Sequence, residues 1–337
     1  MRKGHWPEHQ YPTGLPVKIA PRFVALLALS IILGPAYAQP YPSRAIRFVV
    51  PYPAGGTTDI LSRLIGIKLS ESWGQPVIID NRPGAASIIG SEIVATSSPD
   101  GHTIGMFLTP HAVNPFVMAK LPYDTLKDFS PVALVAVVPG LMVTNPTVAA
   151  TNLSELIVLA RSKPGQFNYA SPGPLTSGHL SMELLKSMAG VNITHIPYKG
   201  GAAALAATIG NQVQFLISGP PNVLPHIKTR RLRAIALTTA QRLAELPEIP
   251  TIAEQGFPGY DTYEWYGIFA PGKTPRSTVE KLNVEVNRII DLPDIHARMQ
   301  EQGALQRKTS PEEFSRFVRN EMDKWGNLAK KIGLKPD

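Results

Sequence analysis

An α/β protein of two similar units is predicted by three observations. Short apolar runs rich in β-branched residues alternate with stretches of helical spacing along most of the chain, the pattern of a parallel sheet covered by helices. One strand–loop–helix unit occurs twice, once after Val50 and again after Tyr169. A length of 337 residues, at roughly 150 per domain, suggests about two domains.

The N-terminal segment stands apart from that grammar. Lys18 and Arg22 precede the apolar run from Phe23 to Leu33, Gly34-Pro35 breaks it, and Ala36-Tyr37-Ala38 stands ahead of Gln39. This order is that of a secretory signal peptide, with cleavage expected after Ala38 and export to the periplasm. The apolar run is about half the ~20 residues a bilayer requires. The stretch before it is long for a basic region and reads as an over-extended start, so residues 1–38 are set apart from the fold. Their removal takes away Arg2, Lys3, Lys18, Arg22 and Glu8, leaving 29 basic against 24 acidic residues. A mildly positive surface attracts anions.

After the leader, Ile46 to Val50 reads as a strand. The loop from Pro51 to Thr57 leads to Ile60, Leu61, Leu64, Ile65 and Leu69 at helical spacing, with Gly74 as the stop. Val77 to Asp80 is the next strand, Ala85 to Ala95 a helix, and Thr103 to Leu108 a strand. The second unit repeats the order: a strand from Phe167 to Ala170, a small-residue loop from Ser171 to Ser177, a helix from Gly178 to Ala189, and a strand from Asn192 to Ile196. Near the C-terminus, Ser277 with Glu280, and Ser310 with Pro311 and Glu313, have the spacing of capping boxes. Phe314, Phe317, Val318, Trp325, Leu328 and Ile332 then form one apolar stripe, expected to pack on the first unit as core.

Most catalytic chemistry is absent from the sequence. With no cysteine, disulfides, thiolate catalysis, cysteine zinc sites and lipid attachment through an N-terminal cysteine are excluded. No G-x-S-x-G elbow, P-loop, G-x-G-x-x-G or H-E-x-x-H occurs. His102, His111, His179, His195, His226 and His296 offer no pair three or four residues apart, so neither a metal nor a cofactor is expected. Ser177 and His179 diverge near a helix start, where Ser177 reads as a cap. Asp59 sits in a first helical turn, where a carboxylate favours the dipole. The basic run Lys228, Arg230, Arg231 and Arg233 has no interleaved aromatics and reads as a solvated helix end, not a nucleic-acid surface.

One positive feature remains. Ala54-Gly55-Gly56-Thr57-Thr58 follows a strand and opens a helix, presenting backbone amides at the positive end of the dipole as an anion site. The loop starting Ser171-Pro172-Gly173 could face it across a cleft. Neither loop contains Arg or Lys; Arg63 lies beyond the first turn of its helix and Arg82 in another loop. A bound anion would therefore be met by amides, the dipole and the hydroxyls of Thr57, Ser171 or Thr176.

These motifs together resemble the Bug family of extracytoplasmic solute receptors, the substrate-binding components of tripartite tricarboxylate transporters. The blocks are Pro51 to Arg63, Asp80-Asn-Arg-Pro-Gly84, Pro99-Asp-Gly-His-Thr103, Tyr169-Ala-Ser-Pro-Gly173, His195 to Gly201, Ile249 to Gly256 and Trp265-Tyr-Gly-Ile-Phe-Ala-Pro271. They run in order through the mature chain. The resemblance implies a two-lobed periplasmic-binding-protein, or Venus flytrap, architecture: two sheets flanked by helices and joined by two crossing strands. Lobe one would be residues 39–137 with 263–337, and lobe two 138–262. It also implies a monomer that captures a small organic carboxylate for the large and small membrane subunits of a transporter, and no catalysis.

Carried over by resemblance, the ligand-binding residues are Tyr52, Pro53, Ala54, Gly55, Gly56, Thr57 and Asp59 from the first loop. Ser171, Gly173, Thr176 and Ser177 come from the second, with Thr109, His111, Ser218 and Gly219 as neighbours. The chain departs from the family at Leu175, where a glycine is common. A signalling receptor without transport would use the same cleft and stays open on the sequence, as does, more remotely, a periplasmic hydrolase.

Overall fold

The computed structural model describes residues 41–333, together with Met1 and Gly4, so the cleavage expected after Ala38 lies outside the described residues. The first sheet begins as the alternating pattern requires. Strands β1 (Ile46–Val50), β2 (Val77–Asn81) and β3 (Thr103–Phe107) run parallel, crossing over through helices α1 (Thr57–Trp73) and α2 (Ile88–Ala95). The helix expected from Ala85 starts later. Ala85, Ala86 and Ser87 have φ of 46°, 50° and 74°, so they form a separate tight turn that directs the Ala86 carbonyl to the Asn114 side chain.

The sheet is mixed, not wholly parallel as the sequence pattern suggested. After helix α3 (Thr109–Val117), β4 (Phe129–Pro139) leaves for a second sheet that begins with β5 (Leu141–Thr144). The chain returns along β10 (Tyr263–Pro271), which pairs antiparallel with β4 from Tyr263 opposite Pro139 to Pro271 opposite Phe129. A departing strand and a returning strand that lie side by side must run in opposite directions, and this connectivity overrides the parallel pattern. With β11 (Leu305–Gln306) at the edge, the order is β11-β4-β10-β3-β1-β2.

The second sheet has the order β7-β6-β8-β5-β9. Its strands β6 (Asn168–Ser171), β7 (Thr194–Pro197) and β8 (Phe215–Ser218) are parallel, whereas β5 opposes both β8 and β9 (Arg233–Leu237). Helices α4 (Leu153–Ser162), α5 (Ser177–Ala189), α6 (Gly201–Ile209) and α7 (Pro220–Lys228) complete it. Where the two crossings meet, the Gly140 amide donates to Thr238 Oγ1 at 2.9 Å, and that hydroxyl donates to the Thr262 carbonyl at 2.7 Å. A Cβ on residue 140 would lie 2.7 Å from Thr238 Oγ1 and 2.8 Å from Ile217. The crossings approach this closely only because residue 140 has none.

Each sheet is buried on both faces. On one face of the first, Phe48, Leu61, Ile65 and Leu69 pack with Leu282, Val286 and Ile289 of α8 (Arg276–Ile290). Each such apolar side chain contributes roughly 1.5–3 kcal/mol on burial. The opposite face receives α10 (Pro311–Ile332), whose Phe314, Val318, Trp325 and Leu328 are buried and whose Phe317 and Ile332 are partly so. The expected stripe thus packs on the first sheet, and it also meets Leu180 of α5. Between α8 and α10 lie α9 (Pro293–Glu301) and the short edge strand.

The capping box at Ser310 forms, with the Glu313 amide donating to Ser310 Oγ at 3.2 Å and the Ser310 amide to Glu313 Oε2 at 2.8 Å. The one expected at Ser277 does not. Helix α8 is capped by Pro275, which places Ser277 inside the first turn, and Glu280 pairs instead with Arg276 at 2.7 Å. Ser177 is likewise the first helical residue of α5 and not its cap, which is Thr176. Lys228, Arg230 and Arg231 are exposed, as expected of a solvated helix end.

Candidate functional site

The two repeated loops follow β1 and β6 and lead into α1 and α5, whose first-turn amides have no intrahelical acceptor. In the first loop, Pro53 to Gly56 are exposed, and Gly55 takes φ 87°, a left-handed conformation that glycine accepts without steric cost. Gly56 has an ordinary φ of −79°. Asp59 braces this loop. Its carboxylate accepts from the Gly55 amide at 2.9 Å, Arg63 Nε at 2.9 Å and Asn81 Nδ2 at 3.0 Å, and the same Asn81 nitrogen reaches the Tyr52 carbonyl at 3.2 Å. Burial opposes the Asp59 charge, but the bonds from Arg63, Gly55 and Asn81 outweigh it and hold the carboxyl below the usual range. The structure thus gives Asp59 a supporting place behind the loop, and it occupies the Gly55 amide.

The second loop is braced by a group that sequence spacing did not reveal. Ser171 Oγ lies 2.6 Å from His195 Nε2 and receives the Gly173 amide at 3.2 Å, and the Thr176 hydroxyl donates to the Gly173 carbonyl at 2.8 Å. His195 stacks on His179 with ring centroids 4.1 Å apart, and His179 Nδ1 accepts from the Leu175 amide at 3.1 Å. The hydroxyls of Ser171 and Thr176, expected to meet ligand, are therefore spent within the loop. Although Ser171 and His195 are in contact, Ser171 is fully buried and its oxygen is committed to loop geometry. Leu175 takes φ 60° and packs partly buried against the core of the first sheet, which explains physically why glycine suits this position.

Between the loops lies a cavity of about 280 Å³. Of the expected residues, Thr57, Ser177, Ser218 and Gly219 line it. The structure adds Glu264 and Tyr266 from β10 and Gln302 beyond α9. Gly178 also lines it, and a Cβ there would lie 2.8 Å from the Ile217 carbonyl, so close helix-to-strand packing requires the glycine. Thr109 stands behind the wall, donating to Glu264 Oε1 from its amide at 3.0 Å and its hydroxyl at 2.6 Å. Burial pushes the Glu264 carboxyl above the usual range despite the bonds from Thr109 and Ser177. One signal could have found Glu264: it is the only charged residue in the apolar strand Tyr263–Pro271.

His111 is not brought to the cavity. Its ring is fully buried, stacked on Phe107 at 4.6 Å and packed against Phe129 and Phe269, with neither nitrogen hydrogen-bonded. Desolvation lowers its pKa to about 3. It is a core residue because helix α3 turns that face onto the sheet. Among the described residues no group of three or more His, Cys, Asp or Glu is placed to hold a metal, and no helix is long and apolar enough to cross a membrane.

Two helix-flanked sheets joined by two crossing strands, with a polar cavity between matched strand-to-helix loops, define the two-lobed solute-binding class. Residues 61–334 match the tripartite tricarboxylate transporter family receptor, and the chain belongs to that family as a solute-binding receptor. Solved structures that resemble it include three described by their ligand or role. A Rhodopseudomonas palustris protein, Rpa4515 with adipate, is 38% identical at a TM-score of 0.77, covering 88% of this chain and 100% of that one. MatC from the same organism, with bound malate, is 32% identical at 0.73, covering 86% and 99%. The periplasmic binding protein BugD is 30% identical at 0.74, covering 88% and 100%. The matched family is one of receptors, and BugD is described as a periplasmic binding protein.

Proposed function

We propose that this receptor is exported to the periplasm, with cleavage after Ala38, binds a small organic carboxylate between its two lobes as a monomer, and delivers it to the two membrane subunits of a tripartite transporter. The lobes are residues 39–137 with 263–337, and 138–262. The observation that carries the reading is the cavity where Thr57 at the start of α1 and Ser177 at the start of α5 meet. Two helix N-termini supply positive potential and unpaired amides, the means of holding a carboxylate without an arginine. The adipate and malate held by the two related structures support that ligand class.

Native mass spectrometry of the purified protein, followed by thermal unfolding against mono-, di- and tricarboxylates, tests it. At 100 times the dissociation constant a ligand should add about 2.7 kcal/mol of stability and leave unchanged. No shift with any carboxylate, or consumption of the ligand, would overturn the reading. N-terminal sequencing of exported protein tests cleavage, and co-purification with the membrane subunits tests delivery.

A further inference from the structure

Glu264 is an acid on the wall of the cavity proposed above to hold a carboxylate. It sits on β10 opposite Val138 of β4, in the paired crossing strands where the two sheets meet. Both hydrogen bonds from Thr109 go to Oε1, which fixes the side chain in one orientation and turns the carboxyl toward the cavity that Thr57 and Ser177 share. No Lys, Arg or His lines that cavity, and among the described residues no cation pairs with Glu264. Its other acid, Glu301, is partnered by Arg298 at 3.0 Å on the exposed end of α9. A half-buried carboxylate with no cation beside it keeps acceptor capacity facing the cavity, and the missing partner is supplied most simply by whatever fills that cavity.

Resting on the carboxylate-binding reading above, we infer that Glu264 is a specificity-determining residue that selects a monocarboxylate bearing a hydrogen-bond donor, an ammonium or a hydroxyl, and disfavours a second carboxylate. The two ends of such a ligand face different chemistry. Its carboxylate meets amides and helix dipoles at the loops, while its donor satisfies Glu264. A dicarboxylate would set like charges together in a wall that offers no cation, and discrimination then comes from repulsion as much as from attraction. A site built to receive a donor rejects the analogue lacking it because the buried acceptor is left unpaired.

The test uses matched chains: 4-aminobutyrate, 4-hydroxybutyrate and glutarate, with the series one carbon shorter and one longer, titrated calorimetrically into the mature protein near neutral pH. The donor-bearing monocarboxylates should bind at least about tenfold tighter than the dicarboxylate of equal length. Glu264→Gln keeps the Oε1 acceptor for Thr109 and removes the charge, and should move the ratio toward the dicarboxylate by about tenfold or more. Glu264→Met, of similar length without polar atoms, is the second variant, and circular dichroism checks both for folding. A wild-type preference for dicarboxylates, or a ratio unmoved in a folded variant, overturns the assignment while the carboxylate reading stands. If no member of any series binds the wild type, the assignment falls, and the wider panel of mono-, di- and tricarboxylates decides the reading it rests on.

Discussion

Acidification should destabilise this protein through His111, a core residue that does not line the cavity. Its imidazole is fully buried among Phe107, Phe129 and Phe269, and desolvation lowers its pKa from 6.5 to about 3. Between those values the unfolded chain holds a proton that the folded chain refuses, so stability falls as pH falls. The contribution is whole above about 6.5 and lost progressively down to about 3. At about pH 5 the loss from this one group is ~2 kcal/mol, since each unit below the ordinary value is worth ~1.4 kcal/mol. His111→Phe preserves a ring in the aromatic cluster, removes the titrating nitrogens and leaves no orphaned polar atom. Urea unfolding of both proteins at about pH 7.5 and about pH 5 should show the variant losing ~2 kcal/mol less on acidification. His179, lowered to about 4 mainly by burial, contributes in the same direction to both and cancels. Equal losses in the two proteins would refute the argument, and a variant that no longer shifts with carboxylates would return His111 to the binding site.

Other expectations follow from the same contacts. Thr57→Val and Ser177→Ala should each weaken carboxylate binding by ~1–2 kcal/mol in calorimetric titration, because both residues line the cavity; unchanged titrations would dissociate them from the site. Arg63→Ala should cost ~1 kcal/mol of stability in denaturant, a figure discounted for a guanidinium half in solvent, because it strips one bond from buried Asp59. Leu175→Gly relieves ~1–2 kcal/mol of left-handed backbone cost and forfeits a partly buried side chain, so its net stability should lie within about 1 kcal/mol of the parent in urea. Trp325→Ala should cost ~3–5 kcal/mol by the same measurement, since the indole is buried and donates to Glu321 at 2.9 Å.

The alternation of short strands and helices, the repeated loop and the capping box at Ser310 are local statements, and local physics writes them into the order of residues. Hydrophobic period, turn glycines and a Ser–Pro–Glu spacing need no partner from elsewhere in the chain, so β1 to β3, the loop bounds and the stripe of α10 could be read directly. The exposed glycine loop that opens α1 was legible for the same reason. Positions that depend on a distant partner were not. Ser277 has the spacing of a cap, but Pro275 before it starts the helix early. His111 looked available until packing of α3 turned it into the core, and Ser171 looked free until His195, twenty-four residues on, took its hydroxyl. The antiparallel β4–β10 pair and the place of Glu264 came only from the tertiary structure. Strands brought together across more than a hundred residues of chain leave no period to read, and the setting of a carboxyl, half-buried at a cavity with no cation beside it, exists only once those strands have paired.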